Sequence, residues 1–90
     1  MLKTLEELIT IIRQRKESST EESYTKKLLN NKKLSVEKIK EEIVELIDSI
    51  EKNSNKIHEA ADVFYHLIMY LEANDVKIED IMEELNKRKK

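Results

Sequence analysis

Glycine, proline, cysteine and tryptophan are all missing from this 90-residue sequence. Two-residue hairpins, glycine-rich phosphate loops and dinucleotide-binding turns all rely on glycine at positive φ, so none of them is available. Without proline, nothing in the chain forces a helix to break. Any nucleotide site must therefore be built from side chains or from ordinary helix ends. The lack of cysteine removes disulfides, thiolate metal sites and cysteine nucleophiles. A basic excess is also missing: 17 basic residues meet 19 acidic ones for a net charge of −2, which is not the charge of a domain that grips a nucleic-acid backbone. Long apolar runs are lacking too. The opening MLKTLEELITIIRQRK has no uninterrupted apolar core of the signal-peptide kind, and no segment is suited to span a bilayer. The expectation is a soluble cytoplasmic protein that binds neither nucleic acid nor membrane.

Charged residues at 40% and hydrophobic ones at 39% fit a packed core under a charged surface. Residues 1–90 make a single domain, near the size at which oligomerisation helps stability. The fold class is all-α, read as five helices. The first runs from about Leu2 to Lys16, with Leu2, Leu5, Leu8, Ile9 and Ile12 along one stripe. Capping boxes at Ser18-x-x-Glu21 and Ser19-x-x-Glu22 open a second, from about Thr20 to Leu29. It ends at Asn30-Asn31, residues tolerant of the left-handed conformation. Ser35 is the expected N-cap of a third helix, in which Val36, Ile39, Ile43, Leu46, Ile47 and Ile50 fall within an arc of about 100°. Asn53-Ser54-Asn55 breaks the chain before a fourth helix from about Lys56 to Ala73. Asn74-Asp75-Val76 turns it into a fifth, from about Ile78 to Arg88. Short links between the third, fourth and fifth helices favour antiparallel neighbours in a bundle.

Two acidic pairs carry the chemistry: Glu42-x-x-Glu45, with Glu41 alongside, on the third helix, and Glu59-x-x-Asp62 on the fourth. Spacing of three puts each pair on one side of its helix. From Ile57 to Leu71 the fourth helix is apolar almost all round, the mark of a buried helix. Glu59, Asp62 and His66 are among its few polar residues, and buried carboxylates are costly unless paired or metal-bound. On the third helix Glu42 lies about 80° from the centre of the apolar stripe and Glu45 about 140°, while Glu41 points almost opposite it. Antiparallel packing lets four carboxylates converge, a donor set suited to Mg²⁺ completed by substrate phosphates. A di-iron bundle adds Glu-x-x-His pairs, which neither His58 nor His66 supplies. The plainer alternatives are that Glu41, Glu42 and Glu45 form a solvated face, that His66 is a hydrogen-bonded core or boundary histidine, and that Tyr65, Met69 and Tyr70 are packing residues.

Three blocks carry a family resemblance: Ser23-Tyr24-Thr25-Lys26-Lys27-Leu28-Leu29, Lys38-Ile39-Lys40-Glu41-Glu42-Ile43-Val44-Glu45, and Glu59-Ala60-Ala61-Asp62-Val63-Phe64-Tyr65-His66-Leu67. In order and spacing the chain resembles the phosphoribosyl-ATP pyrophosphatases of histidine biosynthesis. These belong to the wider MazG-like superfamily of all-α nucleoside-triphosphate pyrophosphatases, which shares the carboxylate pattern. The resemblance implies a four-helix-bundle-like MazG-type fold completed by homodimerisation, and hydrolysis of phosphoribosyl-ATP to phosphoribosyl-AMP and pyrophosphate. It implies Mg²⁺ bound by Glu42, Glu45, Glu59 and Asp62, with Glu41 as a further ligand or base. Lys26 and Lys38 become candidates for phosphate contacts, or else solvated lysines, and Tyr24 and Thr25 candidates for the substrate pocket. The chain departs from the family's usual pattern at Lys40 and Asn30-Asn31, where glycines are common, and at Lys77, where serine is. None of these removes a carboxylate. The rival readings are a house-cleaning nucleoside-triphosphate pyrophosphatase and a non-catalytic helical interaction protein.

Overall fold

The computed structural model describes residues 2–17 and 24–89, without the side chains of Tyr24 and Thr25. All of its regular structure there is helical: α1 Lys3–Glu17, α2 Tyr24–Asn30, α3 Lys32–Lys52, α4 Lys56–Ala73 and α5 Ile78–Arg88. The fourth and fifth helices lie where the sequence placed them. The expected capping boxes at Ser18 and Ser19, and a second-helix start at Thr20, fall outside the described residues.

The start of α3 corrects the sequence reading. Asn31, not Ser35, is the N-cap, at φ −130° and ψ 91°, its side-chain oxygen accepting from the Leu34 amide at 3.0 Å. Asn31 outcompetes Ser35 because its carbonyl side chain reaches the exposed amide three residues on. Ser35 is instead buried, its hydroxyl donating to the Leu28 carbonyl at 2.6 Å and so joining α3 to α2. The left-handed conformation expected at Asn30-Asn31 appears elsewhere, at Asn53, Asn55 and Asp75. Two of these close helices in the same way. Ser54 N–H reaches back to the Ser49 carbonyl and Asn53 N–H to that of Ile50. At the next turn Val76 N–H bonds Leu71 and Asp75 N–H bonds Glu72. Both are the double-bonded helix ending that glycine ordinarily serves, here made with Asn53 (φ 54°) and Asp75 (φ 58°).

Helix α4 is the central element, packed against α1, α2 and most extensively α3. With only residues 53–55 between them, α3 and α4 form an antiparallel hairpin. The core gathers around the second half of α4: Ile68, Met69 and Ala73 meet Ile12 of α1 and Leu28 and Leu29 of α2, ringed by Leu5, Leu8, Ile9, Leu34, Tyr65 and Ile78. Each fully buried side chain of this size contributes about 1.5–3 kcal/mol. Below this core, Arg13 of α1 donates to buried Glu72 at 3.0 Å and in bidentate fashion to Glu79 of α5 at 2.8 and 2.7 Å. Lys16 adds a 2.7 Å pair to Asp75.

Two faces are less buried than their apolar pattern suggests. The inward seam of α3 runs Ser35, Ile39, Glu42 and Ser49, so only part of the apolar stripe turns inward: Ile39 is buried and Val36 and Leu46 are half-buried, while Ile43, Ile47 and Ile50 stay open to solvent. Nor is α4 buried all round. Its buried side is His66, Ile68, Met69, Glu72 and Ala73, whereas Ile57, Phe64 and Leu67 are exposed, Phe64 at 57%. In both cases a single chain has too few helices to cover two apolar faces. Helix α5 also fails to fold back along α4: it buries no residue, and its Met82 and Leu85 are exposed.

Because Asn53 occupies the left-handed region, where side chains other than those of Asn and Asp pay about 1–2 kcal/mol, Asn53→Ala should lower stability by about 1 kcal/mol. Asn53→Gly should equal or exceed the parent. Urea denaturation midpoints of the three proteins check this, with the ranking Gly ≥ Asn > Ala expected.

Candidate metal centre

The hairpin turn sets up the site. Left-handed residues at Asn53 and Asn55 reverse the chain within three residues and start α4, so the first turn of α4 returns beside the middle of α3. Glu59 sits in that first turn, where a carboxylate is favoured by the positive end of the helix dipole. Glu42 and Glu45, three residues apart, lie on the side of α3 that meets it. Carboxylate oxygens of Glu42, Glu45 and Glu59 all come within 4.8 Å of one another, with Glu42 buried, Glu59 half-buried and Glu45 exposed.

Such a trio is unfavourable alone. At an effective dielectric of about 20, two unit charges at that separation repel by roughly 3 kcal/mol, less where Glu45 faces solvent. The cost appears on Glu42, whose carboxyl is pushed up to about 7. Burial is the main cause. A hydrogen bond shared with Glu45 follows, then the charges of Glu45, Asp62 and Glu59. Every charge acting on Glu42 there is another carboxylate. Several hard oxygen donors gathered within 4.8 Å suit a divalent cation of the magnesium or calcium kind.

The other sequence candidates are placed as follows. Asp62 lies one turn beyond Glu59 and adds its field to Glu42, yet it stands outside the tight trio, its carboxylate 3.4 Å from Nε2 of His58. Glu41 is exposed and paired with Lys38 at 3.2 Å. Lys26 donates to the Lys16 carbonyl at 3.0 Å, which puts it at the end of α1. The side chains of Tyr24 and Thr25 are outside the description. His66 is buried, its Nδ1 2.8 Å from the Asp62 carbonyl; since a carbonyl only accepts, Nδ1 carries the hydrogen. It is a hydrogen-bonded boundary histidine, stacked edge-on with Tyr65.

One feature of the site escaped the sequence reading. A cavity of about 190 Å³ opens beside the trio, lined by Glu45, Asp48, Ser49, Lys52, Ser54, Asn55 and Glu59. Its signal was in the spacing: seven residues separate Glu45 from Lys52, so they share a side of α3.

Comparison with known proteins bears on what the centre is for. The model of the family described as phosphoribosyl-ATP pyrophosphohydrolase matches residues 5–89. The chain belongs to that family. Among its relatives, a phosphoribosyl-ATP pyrophosphatase of Clostridium novyi is 43% identical, the match covering 96% of this chain and 81% of that one. A phosphoribosyl-ATP pyrophosphatase of Methanocella arvoryzae is 38% identical, with both chains covered in full. A bifunctional histidine-biosynthesis protein of Pyrococcus furiosus is 40% identical over 99% of this chain, which spans 43% of its length. The match spans both helices that carry the acidic trio.

The raised Glu42 carboxyl sets a pH dependence. Between its ordinary value of 4.5 and about 7, the folded protein keeps a proton that the unfolded chain has lost. Its contribution to stability is therefore greatest on the acid side and declines as pH rises through that window. In chelator, the melting temperature of Glu42→Gln should gain steadily on the parent from pH 5 to pH 7.5, because the amide has no charge to develop. Parallel curves would show that the Glu42 carboxyl is not raised.

Proposed function

We propose that this chain hydrolyses phosphoribosyl-ATP to phosphoribosyl-AMP and pyrophosphate in the cytoplasm, in histidine biosynthesis, and that it depends on Mg²⁺ to do so. The observation that carries the reading is the convergence of Glu42, Glu45 and Glu59 within 4.8 Å of one another in a chain of this family. Glu42, Glu45 and Glu59 hold the cation, and Asp62 joins them from the next turn of α4, exchanging its contact with His58. When bound, Mg²⁺ supplies charge neutralisation for the polyphosphate and activates water for attack on the anhydride phosphorus. Glu41, next in sequence to Glu42 and steadied by Lys38, is the candidate base or outer ligand. Lys38 itself is within one helical turn of the trio's first member, which supports a phosphate contact there. Lys26 has weaker support in that role, since it serves the end of α1. Tyr24 and Thr25 are assigned to the substrate pocket on the family block they share.

The working form is a homodimer. Ile43, Val44, Ile47 and Ile50 on α3, and Ile57, Phe64 and Leu67 on α4, leave apolar side chains exposed on both helices that bear the site. Exposed apolar surface on this scale marks an interaction face, and a second copy of a small chain is its simplest cover. No helix among the described residues is long and apolar enough to cross a membrane.

The test is pyrophosphate release from phosphoribosyl-ATP, compared with a panel of nucleoside triphosphates, with and without chelator. Release from phosphoribosyl-ATP should dominate and should vanish in chelator; Glu42→Gln and Asp62→Asn should lose most of it while remaining folded. Preference for the panel would make the chain a house-cleaning enzyme, and full activity in chelator would remove the cation from the account. For the dimer, sedimentation should give twice the chain mass for the parent and the chain mass for Phe64→Glu.

A further inference from the structure

The described surface offers three places where more could be built. The first is the polar cleft around Arg13 and Lys16, whose cations are engaged by Glu72, Asp75 and Glu79, and it reads as a structural tie for α5. The second is the apolar groove between the start of α1 and the start of α4, lined by Leu5, Leu8, Ile57 and Phe64 among others, with nothing to say what fills it. The third is the small cavity beside the carboxylate trio, and this one has the chemistry to receive a ligand.

We propose that Lys52 is a substrate-binding residue that holds the pyrophosphate end of the substrate and product in the cavity between Glu45, Ser54 and Asn55. The assignment rests on the cation site proposed above and extends it. Among the side chains lining that cavity, Glu45 and Glu59 belong to the trio, and Lys52 is the one cation. A polyphosphate seated on a cation held by Glu45 and Glu59 extends into the adjoining space, and that space leads to Lys52. The reach is suitable. Seven residues at 1.5 Å each put Lys52 about 10 Å along the axis from Glu45 and on the same side, and a lysine stem folded back along the helix covers much of that distance.

The present partner of Lys52 does not stand in the way. Its ammonium lies 3.0 Å from Oδ2 of Asp48, one turn earlier, with both side chains largely exposed. Exposed pairs at that spacing are the weakest class of ion pair, so Lys52 turns towards a phosphate at little cost. The ammonium has three N–H donors, and Asp48 takes one. Ser54 and Asn55, whose hydroxyl and amide groups can donate, line the same cavity. Lys26 and Lys38, the lysines singled out in the sequence, do not line this cavity.

Isothermal titration with inorganic pyrophosphate in the presence of Mg²⁺ tests the assignment on the full chain. Lys52→Met should weaken binding about tenfold, the usual effect of losing one charge-assisted hydrogen bond, and Lys52→Arg should recover most of it. The rise in melting temperature produced by Mg²⁺ alone should match the parent in both variants, because Lys52 holds phosphate and not metal. Equal pyrophosphate affinity in the parent and Lys52→Met would overturn the role of Lys52 and leave the cation site standing. A parent that binds Mg²⁺ but not pyrophosphate would overturn it too. No Mg²⁺ effect in the parent would bring down the cation site and, with it, this assignment.

Discussion

Like charges forced together by a tight hairpin are the constraint on which this structure turns. Three carboxylates within 4.8 Å repel, and burial, followed by contact with Glu45 and the charges of its neighbours, pushes the Glu42 carboxyl up to about 7. A helix pair selected for stability alone would place leucine or alanine at those positions. The pair here gives up stability at its centre, a cost that functional sites commonly carry.

The rest of the molecule can be understood as support for that arrangement. The apolar core is displaced to the far half of α4, where Ile68 and Met69 lock against α1 and α2, so the stabilising and the strained halves of the same helix are separate. Residues Asn53 and Asn55 fix the turn that returns Glu59 to Glu45, and they do so in the left-handed region without glycine. On the outside, Arg13 gathers Glu72 and Glu79, holding the Glu79 carboxyl down at about 2, and so fixes where α5 departs. The apolar residues left open on α3 and α4 flank the same hairpin, so closing a dimer over them would also stiffen the site.

Much of this was legible in the residues. Periodicity and the Asn and Asp turn signals point to five helices, and the bounds of α4 match because Asn53-Ser54-Asn55 and Asn74-Asp75-Val76 lie on either side of it, the second also preceding α5. The i, i+3 spacing, read together with antiparallel packing of the two helices, points to acidic groups that converge, and Glu42, Glu45 and Glu59 do lie within 4.8 Å of one another. What failed had physical causes. Ser35 and Asn31 are both good caps; Asn31 takes the Leu34 amide, and Ser35 turns to the Leu28 carbonyl instead. The apolar stripe of α3 is plain in the sequence, but hydrophobic pattern cannot tell which part of it meets its own chain and which stays open to solvent. The inward seam is the more polar one, Ser35, Glu42 and Ser49. Asp62 was grouped with the glutamates by spacing, yet its carboxylate sits beside His58, a choice of side-chain direction that spacing does not encode.

Proton release on metal binding tests the central claim most directly. Titrating Mg²⁺ into the protein by calorimetry, in buffers of different ionisation enthalpy, counts the protons displaced. Binding should expel close to one proton at pH 6, where Glu42 is still protonated, and close to none at pH 8.5, where it is already charged. Binding that releases no proton at pH 6, or no binding at either pH, would contradict the view that a crowded carboxylate cluster is waiting for a cation.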